Sequence, residues 1–170
     1  MLVPAVAFPD LILAVHILGA VVGFGVVFAY PVLLVVAART DPGVTPWLLR
    51  ARRQLGRYVV SPGLLVVVLA GIYLAGHEHV WSSFFVAWGI VAAIMIGGIE
   101  GAIIIPRSGR LATLAERDLA ATAVAAGGQR SSATWSPEYV TGARVLSRAA
   151  ALLQLIVVVT VFIMAAHVGA

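Results

Sequence analysis

Leu11–Ala38 reads LILAVHILGAVVGFGVVFAYPVLLVVAA, 28 residues in which His16 is the single acidic or basic side chain. About 20 apolar residues, each rising about 1.5 Å along a helix, cross the hydrocarbon core of a bilayer. This stretch is therefore long enough to span a membrane. Three more apolar runs follow it, at 58–75, 81–105 and 149–168, separated by polar connections at 39–57 and 106–148 and by a short link at 76–80. The pattern predicts an all-α membrane protein, a four-transmembrane-helix bundle that takes in residues 1–170 as one integral membrane domain.

Composition agrees. Only 11% of the 170 residues are charged and 62% are hydrophobic, where a soluble domain carries about 25% charge. There is no cysteine, which excludes disulfides, thiolate metal sites and cysteine nucleophiles. There is no lysine either, since all 11 basic residues are arginine; Schiff-base chemistry and a Walker-type phosphate loop are excluded with it. The arginines flank apolar runs, where topology and anionic lipid account for them better than nucleic acid does. The first ten residues, MLVPAVAFPD, lack a basic leader and run into an apolar stretch too long for a signal-peptide core, so the first span is expected to be retained.

Local signals set the boundaries. Pro9-Asp10 opens span one, with the acid at the positive end of the helix dipole. Gly19, Gly23 and Gly25 give it a small-residue face that admits a close neighbour. Pro31 removes a backbone donor, which a membrane helix tolerates when a neighbour satisfies the freed carbonyl. Thr45-Pro46 begins a basic amphipathic segment, 47–57, expected to lie along the interface. Ser61-Pro62-Gly63 marks a kink or fresh start in span two. Span three carries Gly97, Gly98 and Gly101 as a second close-packing face, and Pro106-Arg107 is expected to end it. Residues 108–126 read as a short amphipathic helix, 127–134 as a flexible break, and Ser136-Pro137-Glu138 as the cap of the helix that becomes span four. The connections between spans one and two and between spans three and four hold all 11 arginines. The positive-inside rule places them in the cytoplasm, with both termini outside and the cell inner membrane as the location.

That topology sorts the polar side chains. All four histidines fall on the outer side: His16 in span one, His77 and His79 in the short link, and His167 at the end of span four. An ionisable group inside a span faces the bundle or a cavity and often marks function. Imidazole is also an axial ligand of haem, so His16 and His167 are candidate ligands of one haem b between spans one and four. His16 can equally hydrogen-bond a carbonyl of a neighbouring helix. His77 and His79, with Glu78 between them, are weak candidates for surface zinc or copper and equally read as a solvated turn. On the inner side Glu100 is the one acid well inside a span. It is expected to pair with Arg57 or Arg148, which removes a costly lone charge; as an unpaired group it would suit a proton or cation carrier. No nucleophilic triad, phosphate loop or dinucleotide fingerprint is present.

Several of these residues together resemble known families. His16-Ile17-Leu18-Gly19 with Gly25 and Tyr30-Pro31, the run RARRQLGRYVVSPGLLVVVLAGIYL at 50–74, Ser136-Pro137-Glu138-Tyr139 and Met164 are similar to a family of predicted four-helix bacterial integral membrane proteins that brings a fold but no established activity. More distantly the chain looks like the HemJ-type protoporphyrinogen oxidases and the CopD-type copper-resistance proteins. The HemJ likeness implies haem ligation by the early histidine, here His16; the lysines of that family have no counterpart. The functional expectation is a small membrane protein that binds haem or a related redox cofactor through His16. The alternative is a non-enzymatic accessory or scaffold subunit, as a homo-oligomer or in a larger membrane complex, packed through its glycine faces.

Overall fold

A computed structural model of the chain describes residues 7–125 and 133–166, and all regular structure among them is helical. Four continuous helical rods, Phe8–Thr40, Pro42–His77, Phe84–Ala125 and Pro137–Ala165, are each long and apolar enough to cross a membrane. The architecture is the all-α four-helix bundle that the hydropathy predicts. Helix α1 is Phe8–Thr40; α2 (Thr45–Leu55) and α3 (Ser61–His77) make the second rod; α4 (Phe84–Ile99) and α5 (Ile105–Ala125) make the third; α6 is Pro137–Ala165.

The second and third rods are longer than expected. Pro106-Arg107 does not end a helix, and segment 47–57 is not a separate piece lying flat, because both rods run through their prolines. An ordinary α-turn cannot do this: proline lacks an N–H, and its ring strikes the carbonyl four residues back. Each rod instead widens by one π-helical turn just ahead of the proline, at Gly56–Val60 before Pro62 and at Glu100–Ile104 before Pro106. The N–H of Ser61 bonds the carbonyl of Gly56, and that of Ile105 bonds Glu100. Both bonds reach back five residues, which takes the backbone out of the register in which the proline would clash. At about 1.5 Å per residue the rods of 36 and 42 residues reach roughly 54 and 63 Å, well beyond a hydrocarbon core of about 30 Å. Their excess length projects at the arginine-rich end, where α2 and α5 pack side by side.

That projecting layer has its own chemistry. Arg50 pairs with Glu116 at 2.7 Å, and Arg53 lies across Gly109. Asp118 on α5 accepts from both the backbone N–H of Ser136 (2.8 Å) and its hydroxyl (2.7 Å), while the Ser136 hydroxyl caps α6 by accepting from Tyr139 N–H. This fixes where α6 starts, as the Ser136-Pro137-Glu138 signal indicates.

Within the spans, glycine sets the closest approach. Helices α1 and α3 cross so tightly that a methyl group on Gly63 would stand 2.9 Å from the Gly23 Cα. Met164 of α6 folds over Gly89 of α4, and Trp88 donates to the Thr160 hydroxyl at 3.1 Å between the same two helices. Pro31 in α1 leaves the carbonyl of Val27 without its helical donor, and the Gln154 amide of α6 donates to that carbonyl at 3.1 Å. The core that these contacts enclose runs from Phe24 and Val27 through Ile96 and Ile104 to Leu153 and Ile156.

The two π turns meet. A methyl group on Gly56 would stand 2.6 Å from Glu100 Oε1 and 2.9 Å from Ile105 Cγ1. The Gly56→Ala variant is therefore expected to lose about 1–3 kcal/mol by overpacking. Gly98→Ala, at a position with nothing within 4 Å of the new carbon, is expected to be neutral or slightly stabilising, since alanine is the better helix former. Thermal unfolding of the detergent-solubilised protein, followed by circular dichroism, checks the contrast.

Candidate functional site

Two groups of polar residues sit inside the rods, one toward each end. The first surrounds His16. Its position on α1 faces α3, and its Nδ1 lies 2.8 Å from the carbonyl oxygen of Val67. A carbonyl can only accept, so this bond assigns the proton to Nδ1 and leaves the lone pair of the neutral ring on Nε2. The ring rests over Gly71, where a methyl group would stand 3.2 Å from His16 Cε1. The imidazole is thus fixed at two points, by a backbone acceptor and by a notch that any larger residue would fill.

The other sequence-predicted histidines are placed differently. His77 ends α3 and stacks on Tyr73, with ring centroids 6.0 Å apart, and Tyr73 meets Phe8 edge-on. His79 has φ of 55°. It occupies the left-handed position just after the helix, a place usually taken by glycine, while the Val80 N–H closes back onto the Ala75 carbonyl. Both histidines are exposed. Among the described residues no group of three His, Asp or Glu side chains is placed to hold a metal ion. His167 lies outside the described residues.

The second group lies where the π turns face each other. Arg52 of α2 and Glu100 at the head of the second π turn are 5% and 4% exposed, burial that charged side chains reach only when compensated. They share a cavity of about 10 Å³ with Tyr30 of α1, walled by Val26, Val27, Gly56 and Val60. The Arg52 guanidinium carbon stands 5.3 Å above the centre of the Tyr30 ring, a cation–π contact. Arg52 Nε and Glu100 Oε2 have no hydrogen-bond partner in the protein, and the two side chains form no ion pair within 4 Å. The cavity matches the roughly 10–15 Å³ that one water needs, and it offers that water a donor and an acceptor.

The arginine that shares the buried cavity with Glu100 is therefore Arg52. The expected candidates, Arg57 and Arg148, both point outward with exposed side chains. Helical geometry explains the difference. Arg52, Gly56 and Val60 fall at i, i+4 and i+8, one inward-facing stripe, whereas Arg57 is turned about 100° away from Gly56. That spacing was the available signal. Gly56 completes the site by leaving the space that the Glu100 carboxylate enters.

The chain matches no known protein family, no curated protein and no solved structure with which it was compared. Its chemistry is read from its own residues. Removing one partner of a buried charge pair strands the other, so Arg52→Gln is expected to cost about 3–5 kcal/mol. Arg57→Gln and Arg148→Gln, on exposed side chains, are expected to cost less than about 1 kcal/mol. Unfolding midpoints of the three variants, measured side by side in one detergent, decide it.

Proposed function

We propose that this chain is a small multi-pass protein of a bacterial inner membrane that holds a haem-type redox cofactor through Nε2 of His16, in the half of the bilayer away from the arginines. The observation that carries this reading is the His16–Val67 bond. Ligating histidines almost always donate their second ring nitrogen to a carbonyl or carboxylate, which fixes the ring and raises the basicity of the ligating nitrogen. Here the Val67 carbonyl takes Nδ1–H, Gly71 keeps space for the ring, and Nε2 is left with its lone pair. His16 would hold the group through Nε2, and Val67 and Gly71 would orient its ring. A haem held there would supply one-electron exchange. The chain would contribute orientation and an apolar, water-poor surrounding from the α1 and α3 side chains.

A second reading rests on a different observation. Gly19, Gly23 and Gly63 are spent on the crossing of α1 with α3, but Gly25, Gly98 and Gly101 have nothing within 4 Å of where a side chain would begin. Gly98 and Gly101 lie on one face of the third rod. Open small-residue notches of this kind suit close approach by another membrane helix, which supports an accessory or scaffold subunit, in a homo-oligomer or a larger membrane complex.

An absorption spectrum of the purified protein, oxidised and then reduced with dithionite, separates the two. The haem reading predicts a Soret band that shifts on reduction. It also predicts that the band is lost in His16→Ala and weakened in Gly71→Val, with helical content retained in both. A featureless spectrum from folded protein supplied with haem during expression overturns that reading and leaves the accessory-subunit reading in place.

A further inference from the structure

Helices α5 and α6 part company just beyond the apolar spans and leave a groove of about 240 Å³. Arg107 and Arg110 of α5 and Glu138 and Thr141 of α6 stand around it, and Leu111 and Val145 make its apolar wall. Gly142 admits this shape, because a methyl group there would stand 2.8 Å from Leu111 Cδ2. Depth follows from sequence. Arg107 is the first charge after the apolar run of span three, and Val145 lies just before the apolar run of span four. The groove therefore opens at the boundary where hydrocarbon gives way to headgroups.

The charge count defines an occupant. Arg110 is held by Glu138 at 2.6 Å, while Arg107 is exposed and has no acidic partner among the described residues. Two arginines against one glutamate leave one positive charge beside an apolar wall. A phosphodiester carries one negative charge, and in a glycerophospholipid it is joined to acyl chains that start at this depth. Basic pockets between membrane helices take anionic headgroups for these reasons, and a guanidinium fork suits phosphate oxygens.

We infer that this groove is a binding site for an anionic phospholipid of the phosphatidylglycerol type. Its phosphate sits on Arg107 and Arg110, its headgroup glycerol extends outward along Leu111 and Val145 to the Thr141 hydroxyl, and its acyl chains run from Arg107 toward the apolar span. The inference is independent of any cofactor at His16.

The test is native mass spectrometry of delipidated protein titrated in detergent with phosphatidylglycerol or phosphatidylcholine. The wild-type chain is expected to retain one phosphatidylglycerol in preference to phosphatidylcholine. Removing one arginine near the membrane surface weakens such binding by about fivefold, so Arg107→Gln should lose about that much. Thr141→Phe, which keeps both arginines but fills the groove, should lose the bound lipid too. Arg39→Gln, an arginine at the same end but off the groove, should bind as wild type. Circular dichroism confirms that each variant is helical. An equal loss in Arg39→Gln would mean diffuse charge attraction and overturn the site. So would unchanged binding in Thr141→Phe, or displacement of the lipid by millimolar inorganic phosphate, which would make the groove a site for free phosphate instead.

Discussion

Inside a bilayer a backbone carbonyl that loses its donor has no water to turn to, and this chain places three prolines, Pro31, Pro62 and Pro106, in the interior of its membrane-crossing rods, away from their starts. Each proline removes an N–H and crowds a carbonyl. Two answers are used. In α1, Pro31 frees the carbonyl of Val27, and the Gln154 side chain crosses from α6 to donate to it. In the second and third rods, Pro62 and Pro106 are each preceded by a π turn that moves the hydrogen bonding back by five residues. The first answer ties two helices together. The second lets a helix continue where it would otherwise stop, so that α2 and α5 are carried beyond the apolar spans packed side by side.

The charged cavity follows from the second answer. A π turn inserts one extra residue and swings the side chains after it, and here the two turns lie against each other with Gly56 opposite Glu100. Arg52, one helical turn before Gly56, enters the same space, and Tyr30 closes it from α1 with its ring under the guanidinium. An arginine and a glutamate held this way add little net stability, because desolvation offsets their attraction. They do exclude alternatives. Another register of α2 and α3 against α4 and α5 would separate the two buried charges within an apolar surrounding. Val27 connects the two answers, since its carbonyl receives Gln154 and its side chain lines the cavity.

Much of this was legible in the sequence, for physical reasons that also explain what was not. Hydropathy locates four spans because the bilayer imposes a length and an apolar composition that few soluble segments share. The need of the Val27 carbonyl for an outside donor follows from Pro31 alone, but its donor, Gln154, is 127 positions away and depends on how α6 packs. Pro62 and Pro106 read as a restart and a stop because proline usually breaks helices; a π turn differs from an α-turn by one residue of spacing and has no composition of its own. Arg52 and Arg57 are five positions apart, and choosing between them requires knowing which stripe of α2 faces inward. The buried Gly56 and Val60 mark that stripe. For His16 the sequence left open a ligand or a bond to a neighbouring carbonyl. The structure supplies the bond, which is also the geometry that a ligating imidazole adopts.

A double-mutant cycle on Pro31 and Gln154 tests most directly the claim that freed backbone groups organise the bundle. Gln154→Leu keeps the volume and removes the donor. With Pro31 present it should lower stability by about 1–2 kcal/mol, the upper range for hydrogen bonds inside membrane proteins. In the Pro31→Ala background the restored N–H at position 31 can bond Val27 itself, and the same change should then cost less than about half as much. Equal costs in the two backgrounds would contradict the account, because Gln154 would then be serving some need other than the one that Pro31 creates.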